Sequence, residues 1–324
     1  MKITGRVILV TSLLILSILS YKMSTNKKNP DINLPKPKFE YNVQRDVPYK
    51  SDSESDYLKL DIYQPKNIKK RKLPVVIYLH GGAWTRGNKD AVQNNFRAYI
   101  MEELIKNQYA VISINYTLLN KNTHLEQPLQ DTKDALDWIN KNTEKYNLDI
   151  HNVGIWGGSA GGHIALLTAY NQQNKLPVAL KYVINYFAPT DLTKLFKTDA
   201  SSLLLTFFKI YSPDRYNLRK EKIMELTGFD ISKDKSDAQK KCDDFSPIRY
   251  ISRKTIPTLI FHGTEDSIVD ISQSQLLKET LEKNKVYHQF FILEKAKHSF
   301  SNITKEEAQD IAKKTVDFIK SQTK

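Results

Sequence analysis

The sequence has 324 residues, of which 40% are hydrophobic and 10% aromatic, so it can form one large domain with a substantial core and is too apolar for a disordered chain. Its net charge of +13 comes from basic residues spread along the chain among 36 acidic ones, and because no nucleic-acid-binding motif accompanies them we expect no nucleic-acid partner. A single cysteine, Cys242, excludes an intrachain disulfide framework and a thiolate zinc cluster.

Residues 1–23 predict a signal peptide or an N-terminal membrane anchor. Lys2 and Arg6 precede a charge-free, largely apolar run over residues 7–21, which has the length of a signal-peptide core and falls short of the roughly 18–20 residues of a membrane span. We therefore expect an exported protein of the cell envelope, membrane-anchored through residues 7–21 or secreted. A buried apolar helix is the alternative. The proline-containing residues 24–40 predict a linker.

Residues 41–322 predict one domain in which strands alternate with helices. Residues 43–47 and 57–63 come first, and the second segment alternates apolar and polar side chains like a half-buried antiparallel strand. Continuous apolar runs, typical of strands buried on both faces, then cover residues 74–79, 110–114, 153–156, 182–187, 258–261 and 289–293. Helical patterns cover residues 91–106, 131–146, 164–170, 272–281 and 305–319. The alternation predicts an α/β fold: a twisted, mostly parallel sheet of about eight strands with helices on both faces.

A glycine-rich loop, His80-Gly81-Gly82-Ala83-Trp84, directly follows the first continuous apolar strand. Backbone N–H groups in such a loop can approach a developing negative charge, which side chains would obstruct. We therefore expect Gly81 and Gly82 to supply two donors of an oxyanion hole and Trp84 to contact the substrate. An ordinary glycine turn is the alternative.

A second motif, Gly157-Gly158-Ser159-Ala160-Gly161, follows the strand at 153–156. The pattern G-x-S-x-G between a strand and a helix is typical of a nucleophile elbow, a turn so tight that glycine must flank the serine. Ser159 is therefore the candidate nucleophile, Ala160 the third oxyanion donor and Gly158 a substrate contact. Because glycine is common, this pattern also occurs by chance. The positions of the other candidate catalytic groups therefore decide whether it indicates a nucleophile.

The remaining groups are an acid and a base at the ends of later strands. Asp266 follows the penultimate strand and is the candidate acid, with Glu265 and Asp270 as alternatives. Of the two histidines downstream, His288 opens the last strand, whereas His298 follows its carboxyl end. Ligands and catalytic groups of open α/β sheets collect at that edge, so His298 is the candidate base that would take the proton of the serine.

The connection over residues 190–256 is unusually long and contains a strongly hydrophobic segment at 202–211, expected to be an amphipathic or buried helix. In an α/β enzyme such an insertion commonly forms a lid or a pocket wall. We expect a cap over the site here, with a purely structural elaboration as the alternative.

The remaining histidines and the cysteine predict no further chemistry. His80 and His262 end strands and are expected to be structural, and His163 is expected to pack or to anchor a loop. No histidine pair has metal-ligand spacing beside an acid, so we expect no metal site and no cofactor. Cys242 lies among acidic neighbours, which do not favour a reactive thiolate.

With the nucleophile, acid and base in this order, the chain resembles the α/β-hydrolase superfamily over residues 40–322. Within it, the chain is similar to the esterases related to hormone-sensitive lipase and to the bacterial feruloyl or acetyl esterase-like group. Asn115-Tyr116 matches a family feature after the second parallel strand and is expected to shape the loop near the oxyanion hole. Ala83, where the lipase branch has a third glycine, and Gly158, where it has an acid, favour the feruloyl or acetyl esterase-like branch.

The resemblance implies a serine carboxylesterase that acts through an acyl-enzyme on short or medium acyl esters, including acetyl esters. Its substrates would be small molecules or ester groups linked to polysaccharide. Two alternatives remain open. One is an amide-cleaving hydrolase, arylformamidase-like or a peptidase, on the same triad. The other is a hydrolase-like binding protein without turnover.

Overall fold

The computed structural model describes residues 33–50, 56–171 and 175–323, so the predicted signal peptide or anchor lies outside the described residues. Within them, eight strands form one sheet in the order β1-β2-β4-β3-β5-β6-β7-β8. The strands are β1 (Tyr41–Pro48), β2 (Lys59–Pro65), β3 (Leu73–Leu79), β4 (Ala110–Ile114), β5 (Leu148–Gly158), β6 (Leu180–Tyr186), β7 (Thr258–Gly263) and β8 (His288–Leu293).

The sheet is mostly parallel, as predicted. Strand β2 pairs antiparallel with both β1 and β4, whereas every pair from β4 through β3, β5, β6 and β7 to β8 is parallel. All residues of β3, β4 and β7 are buried, because both faces of these strands are covered and their continuous apolar runs have no polar face to expose. The carboxyl ends of the parallel strands therefore meet at one edge.

Helices cover both faces of the sheet. Phe96, Leu104, Ile311 and Phe318 pack with the core on one face, and Leu136, Ile164 and Leu277 with the core on the other. The helices are α1 (Phe96–Lys106), α2 (Glu126–Lys141), α3 (Ala160–Tyr170), α4 (Leu192–Phe196), α5 (Ser202–Tyr211), α6 (Pro213–Thr227), α7 (Lys235–Asp244), α8 (Ser272–Lys283) and α9 (Lys305–Gln322). None of the helices in the described ranges combines the length and the hydropathy that a membrane span requires.

Several boundaries differ from the sequence expectation. The helix expected at 131–146 lies at Glu126–Lys141, with Pro128 in its first turn, where a missing N–H costs little. The described part of the expected linker has no regular structure and lies against the domain. Leu34 is buried there, and Tyr99 Oη donates to Pro35 O at 2.7 Å.

The long connection between β6 and β7 contains α4 to α7, which we call the cap. The hydrophobic segment at 202–211, expected to be an amphipathic or buried helix, is a helix, and none of its residues is buried, which excludes the buried alternative. Leu203, Ile210 and Tyr211 are each about two-thirds exposed, at 69%, 66% and 67%. The helix nevertheless contributes to the site, because Phe208 lines the cavity described below.

Candidate active site

Ser159 lies in a strained turn between β5 and α3. Its backbone has φ 53° and ψ −126°, a region that residues other than glycine rarely adopt. The turn is too tight for side chains. A Cβ at Gly157 would lie 2.3 Å from the Gly161 carbonyl carbon, and a Cβ at Gly161 would lie 2.1 Å from Leu79 O. Glycine at both positions therefore lets the turn present the Ser159 hydroxyl at the carboxyl edge of the sheet.

The structure brings the three predicted catalytic residues together. His298 Nδ1 lies 2.7 Å from Asp266 Oδ2, and His298 Nε2 lies 3.1 Å from Ser159 Oγ. The three side chains follow β5, β7 and β8. The alternative acids Glu265 and Asp270 are exposed, and Asp270 Oδ1 accepts from Ser272 N at the start of α8. The hydrogen-bonded line therefore runs from Asp266 through His298 to Ser159.

The Asp266 carboxylate is held in its ionised form. Its side chain is 1% exposed, and burial by itself would raise its pKa. Hydrogen bonds from His262 and His298 and from the backbone of Val269 outweigh burial and hold the pKa of Asp266 well below its usual range. The second oxygen, Oδ1, accepts from the N–H groups of Ile268 and Val269, each at 2.9 Å. Oδ1 is therefore held independently of His298, which contacts Oδ2.

His262 supports the acid, a link that the sequence analysis did not identify. Its Nε2–H donates to Val269 O at 2.8 Å and lies 3.4 Å from Asp266 Oδ2. Its Nδ1 accepts from the Ser274 hydroxyl at 2.7 Å. The available signal was its place at the end of β7, four residues before Asp266.

The glycine-rich loop lies directly against the nucleophile. A Cβ at Gly81 would lie 3.0 Å from Gly158 O and 3.6 Å from Ser159 Cβ. Gly82 has φ +124°, a conformation suited to glycine. In the described part of the chain, the loop and turn hydrogen bonds include none donated by the N–H groups of Gly81, Gly82 or Ala160. These three predicted donors are therefore available to a ligand beside Ser159.

Tyr116 holds this loop in place, as expected, whereas the Asn115 side chain contacts the segments on either side of it. Tyr116 Oη donates to His80 O at 2.7 Å, and its ring stacks on the His80 ring with centroids 4.1 Å apart. Asn115 Oδ1 accepts from Lys89 N at 2.7 Å. Burial lowers the pKa of His80 to about 4, so His80 is a neutral structural residue at neutral pH.

Trp84 is bound to the protein through its indole N–H. Trp84 Nε1 donates to His163 Nδ1 at 3.2 Å, and His163 Nε2–H donates to Phe245 O at 2.8 Å. Burial lowers the pKa of His163 to about 4, so the neutral imidazole accepts and donates at the same time. His163 thus ties the glycine-rich loop to the residue that follows α7. The Trp84 ring remains available to line the cavity on the cap side.

Two cavities meet at Ser159. The inner cavity, about 260 Å³, is lined by the glycine-rich loop and by Gly158, Phe187 and His298. The cap-side cavity, about 440 Å³, is lined by Trp84 and Ile268 and by residues of α4, α5 and α6. The insertion therefore forms a wall of the site, and the predicted substrate contacts Gly158 and Trp84 lie in different cavities.

Cys242 is not a candidate nucleophile. It is fully buried, and burial raises the pKa of its thiol to about 12, so the thiolate is scarce at neutral pH. Among the residues that the structure describes, no three histidine, cysteine or acidic side chains cluster as metal ligands would.

An elbow after a central parallel strand, with the acid and the base after two later strands, is the arrangement of the α/β-hydrolase fold. Comparison with known protein families identifies the family within this fold. The protein belongs to the BD-FAE family, whose model matches residues 60–281. The dienelactone hydrolase family model matches residues 244–321.

Similar proteins include two esterases of Mycobacterium tuberculosis. LipQ is 25% identical over 301 residues, which cover 89% of this chain and 64% of LipQ. LipC is 24% identical over 225 residues, which cover 68% of this chain and 51% of LipC. The matched region thus spans less than two-thirds of either relative. Among solved structures, a truncated carbohydrate esterase from gut microbiota has a TM-score of 0.68 at 22% identity, covering 89% of this chain and 100% of that one. This likeness supports the fold.

Proposed function

We propose that the protein is a serine carboxylesterase that hydrolyses short or medium acyl esters, including acetyl esters, by two-step acyl transfer. The observation that carries the proposal is the hydrogen-bonded line from Asp266 through His298 to Ser159, beside the unused N–H groups of the glycine-rich loop. The esterase names of LipQ and LipC support it.

In the first step, Ser159 Oγ attacks the ester carbonyl carbon while His298 Nε2 takes the hydroxyl proton. The 3.1 Å separation of these atoms is within reach for general-base catalysis. Asp266 accepts the hydrogen bond from His298 Nδ1–H. It thereby selects the tautomer whose Nε2 lone pair faces the serine, and it stabilises the imidazolium that forms.

The oxyanion of the tetrahedral intermediate is bound by backbone N–H groups. Gly81 and Gly82 donate from the loop, and Ala160 donates from the first position of α3, where the helix dipole also favours negative charge. Each donor lowers the barrier by about 3–4 kcal/mol.

The intermediate collapses when His298 protonates the leaving alkoxide, which leaves an acyl group on Ser159 Oγ. In the second step, His298 takes a proton from water as the water oxygen attacks the acyl carbon. The Ser159 hydroxyl then recovers its proton and the acid is released. The chain's own residues carry every proton in this mechanism.

The two cavities suit the two parts of an ester. The inner cavity of about 260 Å³, between the loop and Phe187, accommodates a short or medium acyl group. The cap-side cavity of about 440 Å³ accommodates the alcohol portion, whether this is a small molecule or a sugar at the end of a polysaccharide. The cap-side volume lies in the lower part of the roughly 300–1,000 Å³ range of small-molecule pockets, and the inner volume lies just below that range.

The test compares 4-nitrophenyl acetate with 4-nitroacetanilide, using the full-length protein. Both substrates release a coloured product and share the acetyl group, and each kcat/KM is divided by the substrate's hydroxide-catalysed rate constant, because the ester is intrinsically far more reactive than the anilide. We expect the normalised value for the ester to exceed that for the anilide. A larger value for the anilide would establish an amide-cleaving enzyme instead. Activity against neither would contradict the proposal and favour a binding protein.

We also propose that the protein acts at or outside the cytoplasmic membrane. The basic start and the apolar run at residues 7–21, which lie outside the described residues, support this. Fractionation of producing cells with N-terminal sequencing tests it. Export would give membrane-bound or released protein, whereas full-length protein confined to the cytosol would contradict it.

A further inference from the structure

The cleft around Ser159 is lined by basic side chains. In the cap-side cavity they are Lys197, Arg215, Arg219 and Lys222, and in the inner cavity they are Arg86 and Arg97. Neither lining includes an aspartate or a glutamate. A concave site of one charge sign with low-dielectric walls attracts ligands of the opposite charge. The chemistry at Ser159 does not require this charge.

Arg219 is the one buried basic residue of this set, at 7% exposure. Its Nε donates to Phe196 O, and its Nη2 donates to Lys197 O at 3.3 Å. Both acceptors are carbonyls at the end of α4. In the described part of the chain no carboxylate pairs with Arg219, and only its Nε and Nη2 donate hydrogen bonds. Burial lowers the pKa of this guanidinium, as expected for a buried cation without a counter-charge.

A buried cation without a counter-charge is costly, and two neutral carbonyls compensate for only part of the lost hydration. A ligand anion beside Arg219 would supply the missing charge through hydrogen bonds stronger than those to carbonyls. Lys222, the next least exposed of the four cations in this cavity, already pairs with Glu225. Arg219 is therefore the group in this wall with the most to gain from an anion.

The rest of the cap-side cavity is apolar. Its walls include Leu195, Phe196, Phe208, Leu218 and Ile268. A ligand that fills it needs an apolar or aromatic body as well as a negative charge. Since Ser159 lines the same cavity, such a body can be attached to the ester that the serine attacks.

We infer that the protein prefers anionic esters, in which an apolar alcohol portion carrying a carboxylate or phosphate occupies the cap-side cavity with its anion at Arg219. The inference rests on the proposed esterase function and specifies its substrate class. A carboxylate and a phosphate both offer anionic oxygens that Arg219 can bind. Testing one substrate of each kind shows which anion the site prefers.

The test measures kcat/KM for three acetate esters of similar size: 4-acetoxybenzoate, 4-acetoxyphenyl phosphate and methyl 4-acetoxybenzoate. The first two are anionic and the third is neutral, and each value is normalised to the ester's hydroxide-catalysed rate. We expect at least one anionic ester to exceed the neutral ester about tenfold, which corresponds to about 1.4 kcal/mol. The better one identifies the anion. Values for both anionic esters at or below the neutral one would overturn the inference.

Variants of Arg219 test whether this residue causes the preference for anionic esters. Arg219→Gln should lower the ratio of anionic to neutral kcat/KM about tenfold, and Arg219→Lys should restore part of it. The ratio is measured on one preparation, so it does not depend on the fraction that folds. Arg253→Gln removes the same charge from an exposed position outside both cavities and should leave the ratio unchanged. An unaltered ratio in Arg219→Gln would contradict the assignment.

Calorimetric titration separates this inference from the proposed function. If none of the esters is hydrolysed, the proposed function fails, but the anion site remains testable with 4-hydroxybenzoate and its neutral methyl ester. Tighter binding of the anion, weakened in Arg219→Gln, would support the site. Equal binding of the two compounds would overturn it.

Discussion

His262 Nε2 lies 3.4 Å from Asp266 Oδ2, on the same carboxylate oxygen that lies 2.7 Å from His298 Nδ1. The candidate acid thus contacts two imidazoles, of which only one faces the nucleophile. His262 is fully buried and is itself held by Ser274 and Val269. It is a positioning residue that fixes the acid, and through the acid it fixes the base.

Replacing His262 should impair catalysis without changing substrate binding. In His262→Phe the carboxylate loses one contact, so we expect kcat to fall about tenfold, the loss of about one hydrogen bond. KM should stay within about twofold because His262 lines neither cavity. Steady-state kinetics with 4-nitrophenyl acetate measures both. His262→Gln retains a donor and should recover part of kcat. A change in KM alone, or wild-type kcat in the Phe variant, would contradict this role.

His163 should make the protein less stable in mild acid. Its pKa of about 4 in the folded state lies below the ordinary value of about 6.5. The unfolded chain therefore binds the proton first, and the free energy of unfolding falls as the pH drops from about 6.5 towards 4. The shift corresponds to roughly 3 kcal/mol over that window. Asp266, whose pKa is depressed, contributes stability that is lost only below about pH 4.

The variant His163→Gln isolates this effect. The Gln amide can accept from Trp84 Nε1 and donate to Phe245 O as the neutral imidazole does, but it does not titrate. Urea unfolding at pH 7.5 and pH 5.0 should show a smaller loss of stability in the variant than in the wild type. Part of the acid-induced loss of stability should persist in the variant, because burial also lowers the pKa of His80 to about 4. The control variant His151→Gln, at an exposed histidine, should lose as much stability as the wild type. A loss of stability in His163→Gln equal to that of the wild type would contradict the prediction.

Two neighbouring glycines of the elbow should respond differently to alanine. A Cβ at Gly157 would lie 2.3 Å from the backbone of Gly161, whereas a Cβ at Gly158 would lie 3.2 Å from the Phe187 ring, a side chain that can adjust. We expect Gly157→Ala to lower the free energy of unfolding by at least about 3 kcal/mol or to prevent folding. Gly158→Ala should cost less than about 1.5 kcal/mol. Chemical denaturation measures both, and equal costs would contradict the described turn.

The sequence could predict the sheet and the meeting of the three candidate residues at one edge, because both leave local signals. Continuous apolar runs mark strands buried on both faces, and the candidate residues stand directly after the ends of strands that share one edge. The glycines at 157 and 161 mark the elbow because a side chain there would overlap the backbone. Each of these signals lies within a few residues of the feature that it predicts.

The features that the sequence did not reveal depend on contacts between distant segments. Leu203 and Ile210 are as apolar as core residues, and nothing in their spacing shows that α5 lies on the surface. Arg219 is one of many basic residues, and it is distinguished only by its burial against the end of α4. The partner of the Trp84 indole N–H, His163, lies 79 positions away along the chain.

Reaction of the full-length protein with diethyl 4-nitrophenyl phosphate tests directly whether Ser159 is the activated nucleophile. Attack by Ser159 Oγ forms an oxygen–phosphorus bond and expels 4-nitrophenolate. We expect one diethylphosphoryl group per chain, located on Ser159 by mass spectrometry, with loss of 4-nitrophenyl acetate hydrolysis. Ser159→Ala should take up no label and hydrolyse the ester at least about 10⁴-fold more slowly. Ser202→Ala, at an exposed serine of the cap, should be labelled like the wild type. Wild-type hydrolysis by Ser159→Ala, or a label on another residue, would contradict the assignment.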